Sequence, residues 1–172
     1  MDGFVLGLPL GGDRDPVEPA GSGGALAGVS FAEAPYGTRE PRCAVGGTVE
    51  VGGIRLVIIA THLAYAGAGQ RALQAEALLT MADGWRAPLV VLGDLNAAIE
   101  APELRDLASD LVDAFGAVGI PPGDPARHSC GPQAIDHILV RGLTVDACRV
   151  VTQAGDASDH LPVVATLRAE VG

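Results

Sequence analysis

The clearest hydrophobic pattern in the chain lies between residues 54 and 92, where two apolar runs flank an amphipathic segment. Ile54 to Ala60 and Pro88 to Leu92 are nearly continuous apolar runs, which are typical of strands buried on both faces. Between them, apolar side chains of Gly67 to Trp85 recur at helical spacing, with polar residues at the intervening positions. The pattern predicts a strand, a helix and a second strand.

The residues before this unit predict a hairpin and a poorly organised amino-terminal segment. Ala44 to Val51 reads as a strand with a Gly-Gly irregularity, and Gly52-Gly53 turns it back onto the next strand. Residues 1–35 are rich in Gly, Pro, Ala and Asp, which favours loop or disorder. Within them, only Phe4 to Leu8 and Ala25 to Phe31 have the apolar character of short strands.

The carboxyl-terminal half predicts two short helices, a loop over residues 119–131 and three closing strands. The helices are Ala101 to Leu107 and Leu111 to Val118, and the strands are Ile135 to Val140, Leu143 to Val151 and Pro162 to Leu167. Strands therefore alternate with helices early and cluster without helices late. This order predicts a layered α/β (α+β) sandwich, with no domain boundary after residue 40.

The charge of the chain bears on what it binds. It has 21 acidic and 11 basic residues, a net charge of -10, and every basic residue is Arg. An acidic surface repels the nucleic-acid backbone at long range, which disfavours tight, non-specific DNA binding. Acidic residues gathered at one site would suit a hard divalent cation.

The cysteines and the apolar runs indicate the compartment. Cys43, Cys130 and Cys148 are odd in number and their spacing fits no zinc motif, so we expect ordinary reduced thiols that the chemistry does not need. No secretory leader is visible, and no apolar run is long enough to span a bilayer. The expected location is the cytoplasm.

Four short segments place His, Asp or Asn next to apolar strands, where loops build sites on a rigid scaffold. Taken singly, each is most simply a turn or surface residue, but together they predict one site. Asp94 and Asn96, the only Asn in the chain, are two positions apart and would face the same way in an extended segment. A carboxylate there can deprotonate a water, and an amide can donate to a developing oxyanion. The segments are Thr61-His62-Leu63, Gly93-Asp94-Leu95-Asn96, Ile135-Asp136-His137 and Ser158-Asp159-His160.

His160 needs a partner to act on a phosphate, and Asp136 is the candidate in a base-plus-orienter arrangement. Such a pair would favour the imidazolium at neutral pH. Asp159, next in the chain, could instead ligate a cation.

These four segments, the last three extended to Ala97, Leu139 and Pro162, resemble the endonuclease/exonuclease/phosphatase superfamily. Arg39-Glu40-Pro41-Arg42 also resembles the segment that places a phosphate-contacting Arg in pancreatic-type deoxyribonucleases. The resemblance covers about residues 36 to 168. It implies that residues 36–172 form a four-layer αββα sandwich, with two sheets face to face and helices outside, and that the metal is Mg²⁺ or Mn²⁺.

The resemblance also implies a role for each matching position. Asp94 would position or activate the attacking water, and Asn96 would hold the phosphate and the transition state. His160 would contact the scissile phosphate, with Asp136 bonded to it.

Three further positions complete the implied site. Asp159 would be a metal ligand, whereas His62 and Arg39 would bind phosphate oxygens. The family's early strands carry a metal-binding Asn and a metal-binding Glu, and we find no counterpart of either here. We therefore expect a domain that is incomplete at its amino-terminal side and exposes apolar sheet surface, through which it could form a homodimer.

Two functions from different classes follow. The first is divalent-metal-dependent hydrolysis of a phosphomonoester or phosphodiester with water as the nucleophile. The second is a catalytically inactive, truncated remnant that binds a ligand or a protein. The fold does not choose a substrate, but the acidic charge slightly favours a small molecule or a lipid headgroup over nucleic acid.

Overall fold

The computed structural model of the chain describes residues 42–86, 88–154 and 158–169, together with the backbone of residues 4–7 and 27–30. In these ranges the strands are β1 (Phe4–Gly7), β2 (Ala27–Ser30), β3 (Cys43–Val51), β4 (Ile54–His62), β5 (Leu89–Asp94), β6 (Val112–Asp113), β7 (Asp136–Arg141), β8 (Thr144–Val150) and β9 (Val163–Arg168). The α-helices are α1 (Ala68–Asp83), α2 (Arg105–Asp110) and α3 (Ala114–Ala117), and short 3₁₀ turns cover Pro102–Leu104 and Pro125–Arg127.

The larger sheet has the strand order β2-β3-β4-β5-β7-β6, and the smaller has the order β1-β9-β8. β4 and β5 run parallel because α1 carries the chain back across the sheet between them. The other pairings in both sheets are antiparallel. Four successive residues of β5, Leu89 to Leu92, are buried, which matches the continuous apolar run that predicted a strand covered on both faces.

Two apolar cores lie on opposite faces of the larger sheet. Side chains such as Val57 and Val91 face a core that they share with Leu78 of α1. Their neighbours along the strands point the other way, so Val90 packs in a second core with Val163 of the smaller sheet. The described residues thus form a helical layer, a six-stranded sheet and a three-stranded sheet. The prediction of a mixed, layered α/β fold is confirmed.

The predicted hairpin of β3 and β4 is present, but the Gly-Gly irregularity in β3 was a wrong prediction. Gly46 and Gly47 pair in continuous register with Ile59 and Ile58. Gly46 lies under α1, and a Cβ there would come within 2.6 Å of the terminal methyl of Met81. The glycine therefore allows the helix to pack close to the strand without interrupting the ladder.

The predicted helix Leu111 to Val118 is wrong over its first residues. Leu111 is extended, and Val112 pairs with Val140 as the start of the short strand β6. The Asp113 side chain then accepts a hydrogen bond from the backbone N–H of Gly116, which caps the single turn of α3. Strand pairing and an aspartate cap therefore determine the structure of this segment, although its sequence pattern predicts a longer helix.

Other expectations concern surfaces and the start of the chain. Val45, Val49 and Val51 share one face of β3 and are 45%, 40% and 37% exposed, and the homodimer expected through the sheet remains a prediction. β1 and β2 match the two short strands expected in residues 1–35, while the rest of that segment lies outside the described residues. No helix in the described part is long and apolar enough to cross a bilayer.

Candidate active site

The site begins where the parallel strands β4 and β5 end at the same edge of the larger sheet. Thr61 lies beside Gly93, and His62 lies beside Asp94. Gly93 has a φ of 148°, and a Cβ there would lie 1.8 Å from the carbonyl oxygen of Thr61. A side chain at this position would therefore force the strands apart. The glycine that precedes Asp94 thus brings this carboxylate beside His62.

Asp94 and Asn96 meet through a turn, which corrects the expectation that they share one face of an extended segment. Asn96 has a φ of 50°, a conformation that Asn tolerates better than most residues. Its backbone N–H donates to Oδ1 of Asp94 at 2.8 Å. The Asn therefore supports the backbone conformation at this strand end in addition to presenting its amide.

The side chains of His62, Asp94 and Asn96 form one polar group. Nε2 of His62 lies 3.2 Å from Oδ2 of Asp94 and 3.0 Å from Nδ2 of Asn96. Nδ2 of Asn96 also donates to the carbonyl oxygen of Leu63 at 2.9 Å. Nε2 of His62 can donate to Asp94 or accept from Asn96, but not both. When it donates to Asp94, the second amide hydrogen of Asn96 becomes available to a ligand.

Helix α1 fixes the loop that follows His62. Oε1 of the buried Gln74 accepts the backbone N–H of Ala64 at 2.8 Å. Nη1 of Arg71 donates to the carbonyl oxygens of Ala64 and Tyr65 at 3.2 and 2.9 Å. The other side of the guanidinium pairs with Glu103 at 2.6 Å. Sequence reasoning missed these supports, because their spacing along the chain matches no motif.

The second half of the site is built on β7 and the segment before β9. Nδ1 of His160 lies 2.8 Å from Oδ2 of Asp136, so the partner expected for His160 is in place. The same carboxylate oxygen accepts the hydroxyl of Ser129 at 2.6 Å. Ser129 is buried, and its carbonyl oxygen accepts the backbone N–H of Leu161 at 2.7 Å. Ser129 therefore ties Asp136 to the His160 segment, and no sequence motif singled it out.

Sheet pairing brings the two halves together. Asp136 at the start of β7 lies opposite Asp94 at the end of β5. Nε2 of His160 is consequently 4.0 Å from Oδ2 of Asp94. Side chains from four segments that are far apart in the sequence thus surround one small region at the sheet edge. Of the predicted site residues, His62, Asp94, Asn96, Asp136 and His160 lie in this region.

The surroundings set opposite charges on Asp94 and His160. Burial acts to raise the pKa of Asp94, but the hydrogen bonds from His62 and Asn96 and the nearby imidazoles outweigh it, so the pKa is lowered. Burial acts to lower the pKa of His160, but the hydrogen bond and charge of Asp136, with Asp94 and Asp159, outweigh it, so the pKa is raised. The site therefore favours a carboxylate facing an imidazolium.

Asp159 is the predicted metal ligand, and its carboxylate is available. It is exposed, and among the described residues its one hydrogen-bond contact is a long one, 3.4 Å, with the hydroxyl of Ser158. Asp94 and Asp136 also lie near His160, but each already holds a histidine. Carboxylate oxygen is the donor that Mg²⁺ and Mn²⁺ prefer. Among the described residues, Asp159 is thus the side chain beside the site that best fits a hard cation.

Arg39 and His137 also come from the segments that the sequence singles out. Arg39, expected to bind phosphate, lies outside the described residues. His137 is buried on the other face of β7, and its Nε2 lies 2.9 Å from the carbonyl oxygen of Ala97. Burial lowers the pKa of His137, which favours the neutral ring. His137 is therefore structural, as its alternation with Asp136 predicts.

Comparison with known families decides the relationship of the chain. The model of the Endonuclease/Exonuclease/phosphatase family matches residues 9–160. The chain belongs to this family. Its members hydrolyse phosphoesters, and the resemblance expected from the four motif segments is confirmed. A search of curated proteins found no match.

Several solved structures share the fold. A conserved protein of unknown function from Enterococcus faecalis V583 matches with a TM-score of 0.70 and 19% identity over 85% of this chain and 66% of its own. TDP2 from D. rerio, solved with a single-strand DNA product, matches with a TM-score of 0.68 and 17% identity over 84% of this chain and 67% of its own.

The human Nocturnin catalytic domain, solved with a sulfate anion, matches with a TM-score of 0.63 and 21% identity. That match covers 84% of this chain and 59% of the Nocturnin chain. The chain thus spans about two thirds or less of the structures that it matches, such as 66% of the E. faecalis protein. At these identities the similarity establishes the fold alone.

Proposed function

We propose that this member of the Endonuclease/Exonuclease/phosphatase family hydrolyses a phosphoester in a divalent-metal-dependent reaction with water as the nucleophile. The observation that supports it most is the 4.0 Å approach of His160 Nε2 to Asp94 Oδ2. The two groups are close enough to contact one phosphoryl group and its attacking water at the same time. The roles of the individual residues follow from this geometry.

Asp94 accepts the proton of the attacking water. Its lowered pKa keeps it ionised at neutral pH, so a lone pair is available. The backbone N–H of Asn96 holds Oδ1, which leaves Oδ2 for His62 or the water. The turn at Asn96 therefore orients the carboxylate without occupying both of its oxygens.

His160 stabilises the charge that develops on the phosphoryl oxygens. Its Nδ1 is held by Asp136, so Nε2 is the atom directed at the substrate. The raised pKa of His160 favours the imidazolium, which donates a charge-assisted hydrogen bond. The amide of Asn96 and the half-exposed ring of His62, both beside Asp94, would add two further donors. Arg39 would add a guanidinium to the phosphate.

Asp159 would hold the cation, which we propose to be Mg²⁺ or Mn²⁺. When bound, such a cation neutralises charge on phosphate oxygens and orients the phosphoryl group. The location of Asp159 next to His160 supports this assignment, because both side chains then act on the same phosphate.

For the substrate we propose a phosphomonoester or phosphodiester of a small molecule or a lipid headgroup. The net charge of -10 works against the polyanionic backbone of nucleic acid. Within the described residues, several arginines already pair with carboxylates: Arg71 with Glu103, Arg141 with Asp83 and Asp110, and Arg168 with Asp146. The three thiols among the described residues are free, which fits the proposed cytoplasmic location.

Hydrolysis of chromogenic esters tests the proposal. The purified chain is assayed with bis(p-nitrophenyl) phosphate and p-nitrophenyl phosphate in magnesium, in manganese and in EDTA. We expect turnover with either metal and none with EDTA. In ¹⁸O-labelled water, the label should enter the phosphate-containing product, because water attacks phosphorus. A matched assay with single-stranded DNA should give a lower kcat/KM than the preferred small ester.

The inactive remnant predicts different results. Such a protein would show no turnover in any metal, and its thermal stability would not respond to magnesium. This pair of results, obtained with a folded chain, would contradict the enzyme and leave ligand or protein binding as the function of the fold.

A further inference from the structure

The thiol of Cys130 lies beside the proposed catalytic residues. The spacing of the cysteines along the sequence does not indicate this position. The sulfur of Cys130, a carboxylate oxygen of Asp159 and a ring nitrogen of His160 lie within 4.8 Å of one another. Cys130 and His160 are partly exposed and Asp159 is exposed, so a solvated ion could reach all three. The other two cysteines differ in position, because Cys43 is exposed on β3 and Cys148 is buried in the core.

The backbone around Cys130 holds the sulfur in place. Cys130 and Gln133 form an isolated antiparallel bridge, with N–H···O distances of 3.1 and 2.9 Å. Gly131, at a φ of 53°, allows the tight turn between them. The preceding Ser129 is hydrogen-bonded to Leu161 at 2.7 Å. The turn that carries Cys130 is thus tied directly to the segment that carries Asp159 and His160.

His160 is already prepared as a metal ligand. Its Nδ1 bonds to Asp136, whose carboxylate is itself held by the hydroxyl of Ser129. A carboxylate behind one ring nitrogen is the support that metal-binding histidines ordinarily have, since it fixes the ring and leaves the other nitrogen for the ion. Nε2 of His160 is therefore the nitrogen that binds an ion once its proton is released.

We propose that Cys130, Asp159 and His160 form a site for a thiophilic divalent cation, Zn²⁺ above all. Sulfur, nitrogen and one carboxylate oxygen are the donors that Zn²⁺ takes, and hard Mg²⁺ does not take sulfur. In a tetrahedral site the donors stand roughly 3.5 Å apart, so small side-chain movements would bring the three onto one ion, with water in the fourth position.

Binding converts the thiol to a thiolate. The S–H bond and the Nε2–H bond of the His160 imidazolium break, the sulfur–metal and nitrogen–metal bonds form, and both protons pass to solvent, so no oxidant or reductant is involved. Burial and the neighbouring carboxylates raise the pKa of Cys130, which keeps the thiol protonated before the metal arrives.

The consequence for activity rests on the proposed function. Zn²⁺ at this site would occupy Asp159, the proposed magnesium ligand, and Nε2 of His160, the proposed phosphate donor. It would therefore inhibit hydrolysis by displacing magnesium from Asp159 and phosphate from His160. Cys130 is what distinguishes such a site from the all-oxygen site of the proposed reaction.

Spectroscopy of the metal–sulfur bond tests the site without any activity. The apo protein is titrated with Co²⁺ and with Cd²⁺, and the ultraviolet thiolate-to-metal charge-transfer band is recorded for the wild type, Cys130→Ser and Cys43→Ser. We expect one band at one equivalent in the wild type and in Cys43→Ser, and none in Cys130→Ser. Competition with Zn²⁺ should show at least roughly tenfold weaker zinc binding in Cys130→Ser than in Cys43→Ser.

Three results would overturn the site: no band in the wild type, a band that survives in Cys130→Ser, or equal zinc affinity in the two variants. Inhibition is then measured as the ratio of each protein's rate with added Zn²⁺ to its own rate in magnesium alone, and it should be weaker in Cys130→Ser. A thiolate band in a protein without turnover would separate the two proposals, because the metal site would stand and the hydrolase would not.

Discussion

The two histidine–carboxylate pairs of the site differ in how firmly they are built. His160 uses Nδ1 to bind Asp136, and the two side chains are 24% and 10% exposed. His62 uses Nε2 to bind Asp94, and its side chain is 51% exposed. Ser129 supports the first pair from behind, whereas Asn96 competes with Asp94 for the ring nitrogen of His62.

This difference separates two tasks. In the His160–Asp136 pair the carboxylate is hydrogen-bonded to Nδ1 of the ring, so the pair favours an imidazolium whose Nε2 is directed into the site. In the His62–Asp94 pair the bond to the histidine is exchangeable, and Asp94 can release His62 to accept a proton from water. In the proposed reaction, the His160–Asp136 pair would thus supply fixed charge, and the more exposed His62–Asp94 pair would supply proton transfer.

The largest effect is expected from Asp94→Asn. The amide cannot accept the proton of water, so turnover should fall by roughly 10²- to 10⁴-fold. Asp146→Asn is the matched control and should keep the wild-type rate, because Asp146 is an exposed residue of β8 that pairs with Arg168 of β9. Equal rates in the two variants would remove Asp94 from the chemistry.

His160→Asn should follow, with a loss of roughly 10²- to 10³-fold in kcat. The imidazolium acts on charge that develops in the transition state, so KM should change less than kcat. His128→Asn, in the loop before Ser129, is the matched histidine control. A rise in KM at constant kcat would assign His160 to substrate binding alone.

Asp136→Asn tests the origin of the imidazolium. In the presence of EDTA, NMR should show the His160 imidazole titrating above its ordinary value of about 6.5 in the wild type, and lower in the variant. Because the folded-state pKa is raised, the pair stabilises the fold fully below the unfolded-state pKa, and this stability is lost as pH rises through the folded-state pKa. An unchanged His160 pKa in the variant would show that Asp136 does not set it. Turnover should fall by up to about 10²-fold as the ring loses its orientation.

His62→Asn is expected to lower kcat/KM by a smaller factor, about tenfold. This factor corresponds to the free energy of one hydrogen bond to a charged group. Its effect should be much smaller than that of His160→Asn, because the exposed pair is exchangeable. If His62→Asn proved as damaging as His160→Asn, the division of tasks between the two pairs would be wrong.

Ser129→Ala should give the smallest effect, roughly fivefold in kcat, because it removes one hydrogen bond to Asp136 and leaves the His160 contact. The same NMR titration of His160 separates positioning from general destabilisation. Ser129→Thr keeps the hydroxyl and should restore the wild-type pKa if it can be accommodated in this buried position, which a melting curve checks.

Much of the fold can be predicted from the sequence, because a buried face requires apolar residues at a regular spacing. The continuous apolar run of β5 and the amphipathic α1 between parallel strands both follow from which faces are covered. The structure of the segment from Leu111 onwards cannot be predicted in the same way. Its short helical pattern competes with a strand pairing to Val140 that is set by residues far along the chain.

The residues of the site also differ in whether the sequence predicts them. His62, Asp94, Asn96, Asp136 and His160 are predictable because each belongs to a motif at a strand end. Ser129 and Cys130 are not predictable. A turn that precedes β7 brings them to the site, and no sequence motif around them indicates that they lie there. The turn at Asn96 also escapes the alternation rule for strands, since a left-handed residue reorients the chain.

The most direct test of the account is the rate of bis(p-nitrophenyl) phosphate hydrolysis in magnesium by wild type, Asp94→Asn and Asp146→Asn, each repeated after EDTA. The account predicts metal-dependent turnover in the wild type and Asp146→Asn, and a loss of roughly 10²-fold or more in Asp94→Asn with an unchanged melting temperature. Turnover that persists in Asp94→Asn, or that EDTA does not abolish, would contradict it.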